Sequence, residues 1–185
     1  MQRSAGSDKF PIGSKLPKFN LPNVDGTSVG DRYLSDGAMS LVVFTCNHCP
    51  YVKGSEACLI ELVTQYQAKE LRVVAISSND PIQYPDDGFE AMKEKARTMK
   101  LPYPYLFDES QLVAKAFDAA CTPECYLFDG TQALVFHGAI NDSPKNPAAV
   151  TNGFLAKALE QLAKGTKPDP QFAHPIGCSI KWRAA

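Results

Sequence analysis

Leu41-Val42-Val43-Phe44-Thr45 is an unbroken, mostly apolar run of strand length, the pattern of a strand buried on both faces. Leu59, Leu62, Val63 and Tyr66 then fall at i, i+3, i+4 and i+7, which predicts a helix with one apolar face. Pro50 suits the first helical position, where its missing N–H costs nothing. Arg72 to Ile76 repeats the strand signature, so residues 41–76 read as a β-α-β unit, parallel and right-handed. Phe89, Met92, Ala96 and Met99 predict another helix after the Pro-containing loop 81–86. Tyr103 to Phe107 reads as a short strand, and Leu112, Val113, Ala116 and Phe117 as a short helix. Tyr126-Leu127-Phe128 and Leu134-Val135-Phe136, joined across Asp129-Gly130, predict a β-hairpin. Phe154, Leu155, Ala158, Leu159 and Leu162 mark a closing helix, with Thr151 or Asn152 placed to cap it and Gly165 to end it.

The two ends are less periodic. Residues 1–16 read as a polar lead-in, and Phe19 to Val29, centred on Asp25-Gly26, as a short hairpin. The tail 166–185 is Pro-rich but carries Ile176, Cys178, Ile180 and Trp182, so part of it is expected to pack down. No repeat or linker interrupts the pattern, and 185 residues suit one domain spanning 1–185. The element order gives an α/β fold: a central mixed β-sheet flanked by helices, with an N-terminal hairpin extension and a packed C-terminal tail.

Composition removes several function classes. Nineteen Lys and Arg against twenty Asp and Glu give a net charge of −1, which offers no footprint for nucleic acid or an anionic membrane. Hydrophobic residues at 44% with 21% charged fit a globular chain rather than a disordered one. No apolar run approaches the roughly 18 residues of a membrane helix. Met1 to Asp8 lacks the apolar core of a signal peptide, so a cytoplasmic location is expected. In that reducing compartment the six cysteines point to catalysis, metal binding or burial rather than to permanent disulfides.

The cysteines at 46 and 49 carry the chemistry. Cys46-Asn47-His48-Cys49 stands where a buried strand passes into a helix. Two thiols with two residues between them can close a small disulfide ring. At a helix N-terminus the free N–H groups and the dipole favour thiolate, lowering a cysteine pKa from about 8.5 to roughly 3.5–7.5. A thiolate beside its own resolving thiol is the minimum equipment for thiol–disulfide exchange. His48 and Lys53 would add positive charge nearby.

The sequence resembles the thioredoxin-like superfamily, and more closely its peroxiredoxin-like members related to alkyl hydroperoxide reductase and thiol-specific antioxidant (AhpC/TSA). The matching stretches are Phe44 to Lys53, Ser78-Asn79-Asp80, Ala120 to Pro123 with Leu127-Phe128-Asp129, and Gly177 to Trp182. The resemblance implies a thioredoxin-like fold and a thioredoxin-type electron donor, and little about substrate. The dithiol itself would exchange with a disulfide-containing protein or small-molecule substrate and needs no bound organic cofactor. Its register assigns Cys49 to the nucleophile position and Val52 to the second thioredoxin cysteine, leaving Cys46 upstream. The plain motif would instead make Cys46 the nucleophile. The helix-terminus argument favours Cys49, with Cys46 as partner. Thr122-Pro123 is implied to be a substrate-facing cis peptide whose preceding backbone is free to pair with an extended substrate. One departure stands out: thioredoxins bury a carboxylate on the strand beneath the motif, where this strand offers only Val42 and Val43.

The remaining candidate residues have two readings each. Cys121 and Cys125 could join the motif in a zinc site, although a Cys125 held in a strand could hardly turn toward it. Otherwise Cys58 and Cys125 are core residues, and Cys121 is either a third thiol or packing. Cys178 is either a distal resolving thiol or a tail residue packed near Trp182. His48 either tunes the thiolate or faces solvent. Asn79 and Asp80 end the second strand, at the edge where α/β sheets place ligands; Asp142 and Ser143 read as turn residues. The leading function is a thiol–disulfide oxidoreductase using Cys49 and Cys46. The alternatives are a thiol peroxidase and a non-catalytic binding module. The peroxidase reading lacks its activating set, because Cys46 stands where peroxiredoxins carry Thr or Ser and their reactive cysteine position reads Val52.

Overall fold

The computed structural model describes residues 10–184. The chain forms β1 (Asn20–Pro22), β2 (Ser28–Gly30), α1 (Asp31–Ser35), β3 (Met39–Thr45), α2 (Pro50–Gln67) and β4 (Leu71–Ser77). It continues through α3 (Phe89–Met99), β5 (Tyr105–Phe107), α4 (Leu112–Ala116), β6 (Cys121–Thr122), β7 (Glu124–Asp129) and β8 (Leu134–Gly138). It closes with α5 (Phe154–Ala163), β9 (Phe172–Ala173) and β10 (Cys178–Ser179). Six strands make one mixed sheet in the order β5-β4-β3-β7-β8-β9. β3 runs parallel to β4 and antiparallel to β7, so the β-α-β unit and the later hairpin share the central strand. β1 and β2 pair separately as the expected N-terminal hairpin.

The unbroken apolar runs are explained by two covered faces. Along β3, Leu41 and Val43 face one cluster while Val42 and Phe44 face the other, the period of two that a pleated strand imposes. Leu59 and Val63 of α2, Met92 of α3, and Leu155 and Leu159 of α5 fill the first face. Leu34 of α1, Ala114 of α4 and an aromatic group centred on Phe117 fill the second. Phe117 meets Phe10, Phe44, Tyr126 and Phe128 at centroid separations of 5.2–6.3 Å, in the tilted and edge-on geometries that ring quadrupoles favour.

Three local expectations need correction. The lead-in is not polar throughout: Phe10 is buried in the aromatic group, and Gly13, Ser14 and Leu16 exchange backbone hydrogen bonds with residues 132–134. Residues 1–9 lie outside the described residues. Neither Thr151 nor Asn152 caps α5. The helix starts one residue later, after Gly153, and both side chains donate instead to the Asp142 carboxylate, at 2.5 and 2.9 Å. Those bonds hold Asp142 well below the usual carboxylate range and make it an anchor of the loop before α5 rather than a plain turn residue. α1, absent from the periodic reading, is a single turn of helix, too short for a 3.6-residue repeat to show.

The tail does pack down in part. Ile180 is buried and Cys178 half-buried, while Trp182 stays exposed with the Lys115 ammonium over its ring. Among the described residues no helix is long and apolar enough to cross a membrane.

Candidate active site

β3 ends at Thr45, and the chain turns through Cys46, Asn47 and His48 before α2 begins at Pro50. Cys49 is therefore the N-cap of an 18-residue helix, followed by Pro at its first position. Its side chain lies where the helix presents unpaired N–H groups and the positive end of its dipole. Cys46 and Cys49 are both 0% exposed and pack with Val52, against which Tyr51 and Cys178 also lie. All six cysteines are free thiols.

The two motif thiols differ sharply. The Cys46 S–H donates to the Cys49 sulfur, and that bond is the main reason the Cys49 thiol is pulled down to about 4. Burial opposes the fall, while donors from Cys178 and the Val52 backbone reinforce it. The same hydrogen bond, with burial and the nearby Asp87, pushes Cys46 up. One proton shared between two sulfurs thus leaves Cys49 as thiolate and Cys46 as thiol.

Thr122-Pro123 is a cis peptide, as the resemblance implies. In its neutral form Cys49 donates to the Thr122 carbonyl at 3.2 Å, and the Thr122 hydroxyl lies 3.4 Å from the Cys46 sulfur. The backbone before the proline is not free, however. β6 pairs antiparallel with β10, Cys178 opposite Thr122 and Ser179 opposite Cys121. Gly177 permits this approach, because a Cβ there would come within 2.2 Å of the Thr122 carbonyl oxygen.

Buried carboxyls, absent from β3, arrive from elsewhere. Asp87, in the 3₁₀ turn 85–87 after β4, is fully buried. Its Oδ1 accepts from the Asn47 and His48 backbone N–H groups, at 2.7 and 3.2 Å. Its Oδ2 accepts from the Asn79 amide at 2.7 Å and pairs with His48 Nδ1 at 2.5 Å. Asn79 thus serves the site from the end of β4. His48 is neither free in solvent nor in the ring of donors around Cys49; it is stacked on Tyr84 and tied to Asp87. Glu124, beside Phe44 in the sheet register, supports the opposite wall. It accepts from the Ala120 and Cys121 backbone N–H groups at 2.8 and 3.0 Å, and pairs with His137 at 2.7 Å.

Lys53 is exposed on the first turn of α2, with its backbone N–H bonded to the Cys49 carbonyl. The lysine that reaches the motif loop is Lys95 of α3, which donates to the Cys46 carbonyl at 3.1 Å and pairs with Glu56 at 2.7 Å. Cys121 is pushed up by burial and by Glu124 beside it. Cys125 lies on β7 in the main core, and Cys58 packs against the same core from α2. Among the described residues, the group of three metal-capable side chains is Cys46, His48 and Asp87, with donor atoms within 4.8 Å; Cys121 and Cys125 do not join it. The Asp87 oxygens there are already engaged by four donors, so the loop is complete as it stands.

Asp87→Asn would turn an NH₂ toward groups that now donate to the carboxyl. It is expected to destabilise the fold by about 1–3 kcal/mol, the cost of buried donors left facing donors. Urea unfolding checks this, and an unchanged midpoint would remove Asp87 from the account.

The AhpC/TSA family model matches residues 12–137. The chain belongs to the AhpC/TSA family. An uncharacterized conserved protein from Geobacillus kaustophilus is similar to this AhpC/TSA member at 43% identity, over 97% of this chain and 96% of that one, with a TM-score of 0.90. A hypothetical protein from Sinorhizobium meliloti is 34% identical over 98% and 100% of the two chains, with a TM-score of 0.91. The thioredoxin domain of a thiol-disulfide oxidoreductase from Bacteroides vulgatus shares the fold at 18% identity, over 75% and 96%, with a TM-score of 0.61. The architecture of this AhpC/TSA member is accordingly thioredoxin-like. No curated protein matches the chain.

Proposed function

We propose that this AhpC/TSA member is a thiol–disulfide oxidoreductase in which Cys49 is the attacking thiolate and Cys46 its resolving thiol. The observation that carries the reading is the Cys49 sulfur at the N-cap of α2, drawn down to about 4 by the Cys46 S–H beside it. A thiolate at neutral pH attacks one sulfur of a disulfide and releases the other as a thiol. Cys46 then gives up its proton and attacks Cys49 in the mixed disulfide, closing the Cys46–Cys49 bridge. Nothing in these steps needs a bound organic cofactor. The substrates are disulfides and thiols of proteins or small molecules, with a thioredoxin-type protein as the electron donor that closes the cycle; the cytoplasm is the compartment that fits free thiols.

A low Cys49 pKa also sets a direction. Holding the reduced pair as thiolate and thiol stabilises it relative to the disulfide, which makes the disulfide the stronger oxidant. A peroxidase would need the same thiolate paired with hydroxyl and cationic donors for the peroxide oxygens, and Cys46 occupies the nearest donor position.

Parallel stopped-flow assays with oxidised glutathione and with hydrogen peroxide separate the two chemistries. Exchange with the disulfide is expected to run to a Cys46–Cys49 bridge, while peroxide reacts no faster than with an ordinary thiolate. A peroxide reaction that outpaces disulfide exchange would overturn the assignment.

A further inference from the structure

We propose that Cys178 is the relay thiol of this site, the sulfur through which the buried Cys46–Cys49 pair exchanges with outside thiols and disulfides. The inference rests on the exchange reading above and adds a third, obligatory sulfur. Exchange requires one sulfur to reach another, yet Cys46 and Cys49 are both 0% exposed. Cys178 is half-buried and packs against the pair. Among the described residues it is the accessible sulfur in contact with the pair.

The tail that brings Cys178 there is built into the fold. Ile180 is buried, and its N–H donates to the Ala120 carbonyl at 3.0 Å. The Lys181 carbonyl accepts from the Asp80 backbone and from the Gln111 amide, each at 2.9 Å. Its N–H donates to Asn79 at 2.8 Å, and that of Arg183 to Gln111 at 3.0 Å. β10 therefore fills the edge of β6 that an extended peptide would add to, and Cys178 stands against Cys49 on that borrowed strand. Burial and the neighbouring Cys49 sulfur push the Cys178 thiol up to about 11 in the reduced protein, with Lys181 and Lys145 opposing the rise.

Starting from the Cys46–Cys49 disulfide, Cys178 loses its proton and attacks the Cys49 sulfur. The Cys46 sulfur leaves and takes up a proton, so the first step moves the disulfide to Cys49–Cys178 without net oxidation. An outside thiolate then attacks Cys178, and Cys49 departs as the thiolate that its surroundings stabilise. A second outside thiolate attacks the outer sulfur of the mixed disulfide and frees Cys178. Two outside thiols have become one disulfide, and the Cys46–Cys49 disulfide has become a thiol and a thiolate. Run in reverse, the same steps oxidise the pair with an outside disulfide.

The test treats the oxidised, desalted protein with substoichiometric reduced glutathione, followed by acid quench, alkylation and peptide mass spectrometry. Glutathione is expected first on Cys178, and Cys178→Ser is expected to consume glutathione at least about tenfold more slowly, since access controls exchange rates. Cys178→Ala serves as a second variant, and the wild-type adduct map needs no variant. Glutathione appearing first on Cys49 or Cys46, with Cys178→Ser reacting at the wild-type rate, would overturn the relay and leave the exchange reading standing. If the Cys46–Cys49 disulfide does not form in the wild-type protein, the exchange reading and the relay fall together.

Discussion

Cys46→Ala is expected to raise the pKa of Cys49 from about 4 by about one to two units, while Cys49→Ser removes the low-pH thiolate altogether. The Cys46 S–H is the largest influence on the Cys49 sulfur. A single hydrogen bond to the charged form is worth about one to two pKa units, or roughly 1.4–2.7 kcal/mol. The ultraviolet absorbance of the thiolate, followed as pH is lowered, reads this directly. In wild type the signal persists through neutrality and is lost as pH falls through about 4. In Cys46→Ala the loss begins at higher pH, and in Cys49→Ser no transition occurs there. Function splits the same way: Cys49→Ser loses exchange to background, whereas Cys46→Ala still captures a disulfide but cannot complete the Cys46–Cys49 bridge. A Cys49 titration unmoved by Cys46→Ala would assign the low pKa to the helix N-terminus alone.

The reduction potential of the pair is expected to change by about 30 mV per pH unit across neutrality, rather than by the roughly 59 mV of a dithiol that takes up two protons. The sign follows from the proton count. Between the Cys49 value of about 4 and the raised Cys46 value, reduction takes two electrons but one proton. The potential therefore falls as pH rises, at half the two-proton slope. Below about pH 4, where Cys49 also binds a proton, the slope steepens to the full value. Because the thiolate stabilises the reduced form, the potential at neutral pH is expected above the roughly −270 mV of thioredoxin. Equilibration with glutathione buffers at several pH values measures both quantities. A slope near 59 mV through neutrality would show that Cys49 is an ordinary protonated thiol.

Much of this was legible in the chain. The strand at 41–45, the helix opening at Pro50 and the second strand at 72–76 announced themselves by period and length, and those elements position Cys46 and Cys49. The hairpin at 126–136 was equally plain. What stayed hidden was long-range or very short. Asp87 lies about forty positions from the loop that it anchors, and its partners leave no local pattern. An acidic residue directly after Pro123, and a paired Asp86-Asp87 in a Pro-containing loop, were the available signals, and both resemble ordinary polar loop residues. β6 and β10 hold two residues each, too few for alternation to show. The tail therefore read as packed without revealing that it lies along the cis-proline loop. Phe10 was lost in a polar stretch because one aromatic residue has no period.

The proposed chemistry requires Cys46 and Cys49 to form one reversible internal disulfide. Peptide mass spectrometry with differential alkylation, after equilibrating the protein across a series of glutathione redox buffers, shows whether they do. Cys46 and Cys49 are expected to convert together between dithiol and a mutual disulfide in one transition, with Cys58 and Cys125 reduced throughout. A pair that stays reduced across the whole series would contradict that chemistry.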